Sequence, residues 1–361
     1  MEVKRVRDSN LELLRIVSMF IIVANHFVYF GGFPEQSTLS GQNVFFNLLS
    51  PVFGNMGVDI FVLISGYFLV TSTPRYERVV RTALQTTFYA VVFVFVFAVL
   101  GITTLSVSAI VKACLAIANG WYWFPTAYCA LLLLSPFLNR LLLELTQKQY
   151  MSLLVTMFCI ILLPITILGT QSLYSDLALF ILLYSVAGYV RLFPSKALSN
   201  RWQWLAIGIL GWLVTASWTL FNRLHLPFNN VLLDHLHWNI GGRNSFTTFV
   251  AALGVFLFFR TLDIGHSRVI NVVASASFGV YLLHNCWGYT TTWIFQSLFH
   301  VGEYSGQGWK LVAYCLFTVV SIYIVCTAID LVRLYALERP FFRLCHHLID
   351  RHTQRRHDPA S

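Results

Sequence analysis

Leu11-Glu12-Leu13-Leu14-Arg15-Ile16-Val17-Ser18-Met19-Phe20-Ile21-Ile22-Val23-Ala24-Asn25-His26-Phe27-Val28-Tyr29 is long and apolar enough to be a membrane helix, yet it carries Arg15 and His26. A bilayer core takes about 20 mostly apolar residues per helix, somewhat fewer when the ends snorkel. An α-helix turns about 100° per residue, so the steps from Arg15 to His26 end about 20° from their start. The two side chains therefore share a face, about 16 Å apart along the axis. Ionisable groups at membrane depth are costly and by default mark a functional site. A permanent cation and a titratable base on one stripe point to anion binding at one level and proton transfer at another.

The rest of the chain agrees with that segment. It is 57% hydrophobic and only 11% charged, with a mean hydropathy of +0.69. A soluble domain has about a quarter charged residues, so the composition predicts a polytopic, all-α transmembrane bundle. About ten spans emerge at the length a bilayer requires. They are Leu11–Tyr29, Gly54–Val70, Thr82–Gly101, Trp121–Leu142, Tyr150–Leu168, Asp176–Leu192, Trp202–Phe221, Phe246–Phe259, Val272–Phe299 and Trp309–Leu334. Gly241 is a candidate start for the short eighth span, and the long ninth is a candidate for a tilt or break. Residues 1–342 are expected to form the transmembrane domain, and the basic residues 343–361 a cytoplasmic tail. Lys4, Arg5 and Arg7 before an apolar run resemble a signal peptide, but Arg15 in the run favours a retained signal-anchor.

Charge sets the expected orientation. With the N-terminus in the cytoplasm, nineteen of the 24 Lys and Arg fall inside. Lys112, Arg223, Arg243 and Lys310 fall outside, and Arg15 is within a helix. This asymmetry obeys the positive-inside rule and requires an even number of spans, with both termini cytoplasmic. The net charge of +9 is thus spent on topology, with no basic patch interleaved with aromatics on a polar domain, so nucleic acid is not an expected partner. The seven cysteines are odd in number, lack a C-x-x-C pair and read as small buried hydrophobes.

Other segments add chemistry to the first. Asp59, in Gly57-Val58-Asp59-Ile60-Phe61-Val62-Leu63-Ile64-Ser65-Gly66-Tyr67, can orient a histidine, pair with an arginine or cap the helix at the outer interface. Ser65-Gly66 is not a nucleophile elbow, because no glycine stands two residues before the serine. Arg75, Arg78 and Arg81 recur at three-residue spacing, which on a helix gives one guanidinium face suited to phosphates, or a plain topological anchor. Trp123 and Tyr128 belong to an aromatic run that reads as an interfacial belt or a stacking surface for a sugar. His284 is a second intramembrane histidine, more readily a structural partner than a catalyst when taken alone. The outer loop Asn222–Ser245 holds His225, Asp234, His235, His237 and Arg243, without the spacing of a metal site, and no metal is expected. No P-loop or Rossmann fingerprint appears, which weakens ATP-driven transport and redox catalysis.

Together these segments resemble the acyltransferase-3 family of integral membrane acyltransferases. The resemblance rests on Arg15 with His26, on Gly57 through Tyr67, on Arg75-x-x-Arg78 with Arg78-x-x-Arg81 as a second register, and on Trp123 through Asn139. It continues with Ser277, Gly279, Tyr281, Leu282 and His284, and closes at Glu338-Arg339-Pro340. Some members continue into a C-terminal extracytoplasmic esterase-like domain, which this chain is expected to lack.

The resemblance implies transfer of an acyl group, often acetyl from acetyl-CoA, to a hydroxyl of a surface carbohydrate or its lipid-linked precursor, at the inner or plasma membrane. His26, Arg15 and Asp59 are then the expected catalytic residues. Arg75, Arg78 and Arg81 are expected to hold the CoA phosphates, and Trp123, Tyr128 and His284 the acceptor. His26 would take the acceptor proton, either in direct attack on the thioester or by way of an acyl-His26 intermediate. The competing expectation is a transporter or flippase that uses the same Arg15/His26 pair as a pathway.

Overall fold

The first helix forms where the apolar run predicts it. In the computed structural model α1 runs without a break over Ser9–Phe30. The structure describes residues 8–34, 39–50, 52–73, 76–168, 175–223, 245–286, 289–345 and 347–348. Among them every regular element is helical. In chain order these are α1, α2 (Gly41–Leu49), α3 (Val52–Leu69), α4 (Glu77–Val99), α5 (Val107–Cys114), α6 (Trp123–Glu144) and α7 (Gln147–Leu168). There follow α8 (Asp176–Leu192), α9 (Arg201–Arg223), α10 (Phe246–Arg260), α11 (Arg268–Ser275), α12 (Ser277–His284), α13 (Tyr289–Thr292) and α14 (Trp309–Arg333).

The helices sort into an inner and an outer set. α1, α3, α8, α10 and α12 supply most of the buried residues, including Leu14, Ile60, Leu63, Phe180, Tyr184, Phe256 and Val280. α4, α6, α7, α9 and α14 turn large apolar side chains outward, among them Phe95, Phe137, Val155, Leu210 and Ile324. Such a surface is unfavourable against water and suits lipid tails. Two glycines of the second-helix motif let the inner helices meet. A Cβ on Gly57 would lie 2.7 Å from the carbonyl oxygen of Ser18 in α1. One on Gly66 would lie 2.7 Å from the carbonyl oxygen of Tyr184 in α8. Close backbone approach of this kind is how membrane helices gain contact where lipid gives no hydrophobic push.

Among the described residues, seven helical segments are long and apolar enough to cross a membrane. The other three expected spans are shorter. α8 has 17 residues, α10 has 15, and the ninth expected span is broken into α11 and α12 of 8 residues each, followed by α13. Of these, α8, α10 and α12 bury most of their apolar residues inside the bundle, where polar helix ends can be satisfied by neighbouring protein. The break comes at small residues: Ser275 turns its hydroxyl back to the Val272 carbonyl at 2.6 Å, and the Ala276 N–H bonds Val273 and ends the first piece. α2 and α5 are short helices between spans that the apolar runs did not announce.

Polar contacts tie down one end of the bundle. Asn10 donates to the carbonyls of Phe259, Arg260 and Leu262, satisfying the open C-terminus of α10. Ser9 accepts from the Ser267 N–H at 2.8 Å and donates to Asn271 at 3.2 Å. On α14, buried Asp330 accepts from Tyr89 at 2.7 Å, Gln85 at 3.1 Å and Arg333 at 2.7 Å. Arg333 in turn binds Glu338. This strut joins α4 to the turn after α14 and fixes where Glu338 and Arg339 stand.

Candidate active site

A cavity of about 1030 Å³ opens beside Arg15. Its wall draws on α1, α3, α4, α6, α11, α12 and the turn after α14. Arg15, Arg81, Arg268 and Arg339 line it, against Glu338 as the one carboxylate among its lining residues. Arg15 donates from Nη1 to Glu12 at 2.8 Å and lies 5.6 Å from the Phe61 ring centroid, while its Nε is buried without a hydrogen-bond partner. Arg81 is spoken for: Glu77 holds it at 2.6 Å and Glu338 at 3.0 Å, and it covers the Phe342 ring at 4.0 Å. Arg339 lies over Tyr335 at 4.0 Å. Neither Arg339 nor Arg268 forms an ion pair among the described residues. Guanidinium groups free of carboxylates in a partly enclosed space attract phosphate-bearing anions.

Deeper in the same wall, the Ser65 hydroxyl donates to the Phe61 carbonyl at 2.9 Å. Its oxygen can then accept from the Tyr128 hydroxyl, 3.0 Å away. Beyond them lies an aromatic layer. Phe124 sits 5.7 Å from Phe61, 6.3 Å from Phe278 and 5.6 Å from Tyr281. Tyr281 meets His284 edge-on at 6.2 Å. His284 is wholly buried, and its Nε2 lies 2.9 Å from Nδ1 of half-buried His26. α1 thus carries Arg15 into the cavity and His26 to a partner on α12, and aromatic rings link the cavity wall to that partner.

A profile described as an acyltransferase domain matches residues 8–330. The chain belongs to the acyltransferase-3 family. No curated protein and no solved structure matches it. The protein is a multi-pass membrane acyltransferase by family and by its apolar helices.

In this acyltransferase the residues singled out from the sequence fall in several places. Arg15, Arg81 and Tyr128 reach one cavity. His26 and His284 reach each other, and neither is among the residues that line the cavity. Arg78 points into a separate small recess, where it donates to the Ser72 hydroxyl at 3.0 Å near Asn139. Arg75 lies outside the described residues, as do His225, Asp234, His235, His237, Gly241 and Arg243. Asp59 is 1% exposed and sits well inside α3, which removes the reading of it as a cap at a helix end. Trp123 packs half-buried against Phe124 and Phe180, as part of the aromatic cluster. Sequence reading passed over Glu12, His266, Arg268 and Arg339 as site residues. Glu12 stood one turn before Arg15 and was readable as its partner. Arg268 offered only the signature of a cytoplasmic anchor, and Arg339 was visible only inside the closing motif.

Proposed function

We propose that this acyltransferase takes an acyl group, acetyl foremost, from acyl-CoA in the arginine-lined cavity and transfers it to a hydroxyl of a surface carbohydrate or its lipid-linked precursor. The observation that carries this reading is the cavity itself, lined by Arg15, Arg81, Arg268 and Arg339 against Glu338, with Phe61 in its wall packed on Phe124 and, through Tyr281, next to the partner of His26. The 3′-phosphate and pyrophosphate of CoA call for such cations, and the thin pantetheine arm is the part of the donor that can pass between packed rings. Arg268, Arg339 and Arg15 are the residues we assign to the donor phosphates and arm, in preference to Arg78 and Arg81. His26 acts as general base for the acceptor hydroxyl.

The same reading places both termini in the cytoplasm of a ten-pass protein in the cell membrane, with residues 1–342 as the acyltransferase domain and 343–361 as a basic tail. Support comes from the Lys/Arg asymmetry. The tie from Ser9 to Asn271, and the turn after α14 on the wall that Asn271 also lines, bring the start of α1 and the end of α14 to one face. The test is acetyl-CoA binding and turnover by purified protein in lipid nanodiscs. Saturable binding with release of free CoA is expected. Binding of a glycan-related solute and its movement across vesicles, without any use of acetyl-CoA, would favour transport instead.

A further inference from the structure

Two hydrogen bonds fix where the protons of the histidine pair reside. Nδ1 of His284 lies 2.6 Å from the carbonyl oxygen of Val280, one turn back in α12. A carbonyl oxygen only accepts, so Nδ1 of His284 carries a proton. No carboxylate forms an ion pair with either ring among the described residues, and a buried cation without such a partner is strongly unfavourable. The neutral His284 ring therefore presents a lone pair at Nε2. Nδ1 of His26 is 2.9 Å from that lone pair, and a nitrogen–nitrogen contact of this kind needs exactly one proton. His26 supplies it. The proton of His26 is on Nδ1, and its Nε2 is left as an open base with no hydrogen-bond partner among the described residues.

We infer that His284 is a positioning residue for acyl transfer, fixing His26 through the Val280–His284–His26 chain as the Nδ1–H tautomer with Nε2 free to accept. This rests on His26 being the base. In the step, the acceptor hydroxyl proton passes to Nε2 of His26 as the hydroxyl oxygen bonds to the thioester carbonyl carbon. The carbon–sulfur bond breaks, its electron pair leaves with sulfur, and His26 returns the proton to give free thiol and ester. His284 neither gains nor loses a proton. Its lone pair meets the imidazolium formed in mid-reaction with a charge-assisted bond, roughly twice as strong as the neutral one. Without it, His26 can place its proton on Nε2, where the base must be empty.

His284 is suited to this role by its surroundings. It is fully buried, tied to its own helix backbone and flanked edge-on by Tyr281, so its lone pair has one direction. The same placement separates it from the cavity where the donor would bind. A defect in His284 should therefore appear in kcat and leave the acyl-CoA KM alone.

The test compares His284→Phe with His284→Gln in the full chain in nanodiscs. Phe keeps a ring but removes the lone pair; Gln offers an amide oxygen close to where Nε2 stood. Loss of an orienting partner behind a catalytic histidine costs up to about 10⁴ in kcat. We expect His284→Phe to lose about 10² or more in kcat, with KM for acetyl-CoA within about twofold, and His284→Gln to recover at least about tenfold of that loss. Nitrogen-15 NMR of labelled histidine, with His26 assigned by its disappearance in His26→Gln, should show the Nδ1–H pattern in the wild type and in His284→Gln, and its loss in His284→Phe. An unchanged His26 tautomer in His284→Phe overturns the positioning role whatever the activity. Equal loss of kcat in both variants also overturns it, since shape rather than the lone pair would then matter. Full activity of His26→Ala would sink the base assignment beneath it while leaving the tautomer result standing.

Discussion

At the scale of single residues, the cavity arginines divide into those already neutralised and those free to bind. Arg81 is held between Glu77 and Glu338, so Arg81→Ala should act first on stability, lowering Tm and folded yield, and only weakly on substrate affinity. Among the described residues Arg268 and Arg339 have no such carboxylates, and their loss should do the reverse. A hydrogen bond to a charged group is worth about 1.5–3 kcal/mol, so Arg268→Ala or Arg339→Ala should raise the acetyl-CoA KM by about tenfold or more at unchanged Tm. Michaelis curves and thermal melts on the same preparations check both outcomes. Arg15→Lys should also weaken acyl-CoA binding, because an ammonium cannot keep the Glu12 contact and still offer the buried Nε–H side of a planar fork. Binding isotherms for Arg15→Lys at equal folded yield read this directly. Arg15 and His26 were legible in the sequence because both lie on one helix and helical geometry relates them. Their working partners were not, since His284 is 258 positions from His26 and only packing brings α12 to α1.

At the scale of helices, the inner elements of the bundle pack in close backbone contact. Gly66 is where α3 meets the backbone of α8, and a larger side chain there has nowhere to go. Overpacking a tight core typically costs about 1–3 kcal/mol, so Gly66→Leu should lower the melting temperature of the purified protein and reduce its membrane yield, with Gly66→Ala intermediate. Helix existence was largely readable, because long apolar runs leave few alternatives in lipid. Helix length and continuity were less so. The ninth segment is apolar throughout, and its break at Ala276 follows from local hydroxyl–backbone bonding that hydropathy does not register. α2 and α5 were missed for the same reason: they are too short to span, and their polar residues read as loop.

For the whole molecule, the expected frame is ten passes with both ends inside. Membrane-impermeant thiol labelling, in a background with exposed Cys114 replaced by serine, should leave Thr73→Cys and Lys196→Cys protected in intact cells and modify Thr104→Cys and Gln307→Cys. Labelling of Lys196→Cys from outside would remove the frame. Within it, the proposed route has a donor made in the cytoplasm entering near Arg268 and Arg339, with its acyl group used at the level of His26, closer to the other face. The most direct check of this central claim is release of free CoA from acetyl-CoA, with acetyl-CoA binding measured in parallel, by nanodisc-embedded wild type and His26→Ala at equal folded yield. His26→Ala should bind acetyl-CoA with unchanged affinity and lose about 10² to 10⁴ in turnover, the usual worth of a positioned general base. Turnover by His26→Ala near the wild-type rate would contradict it.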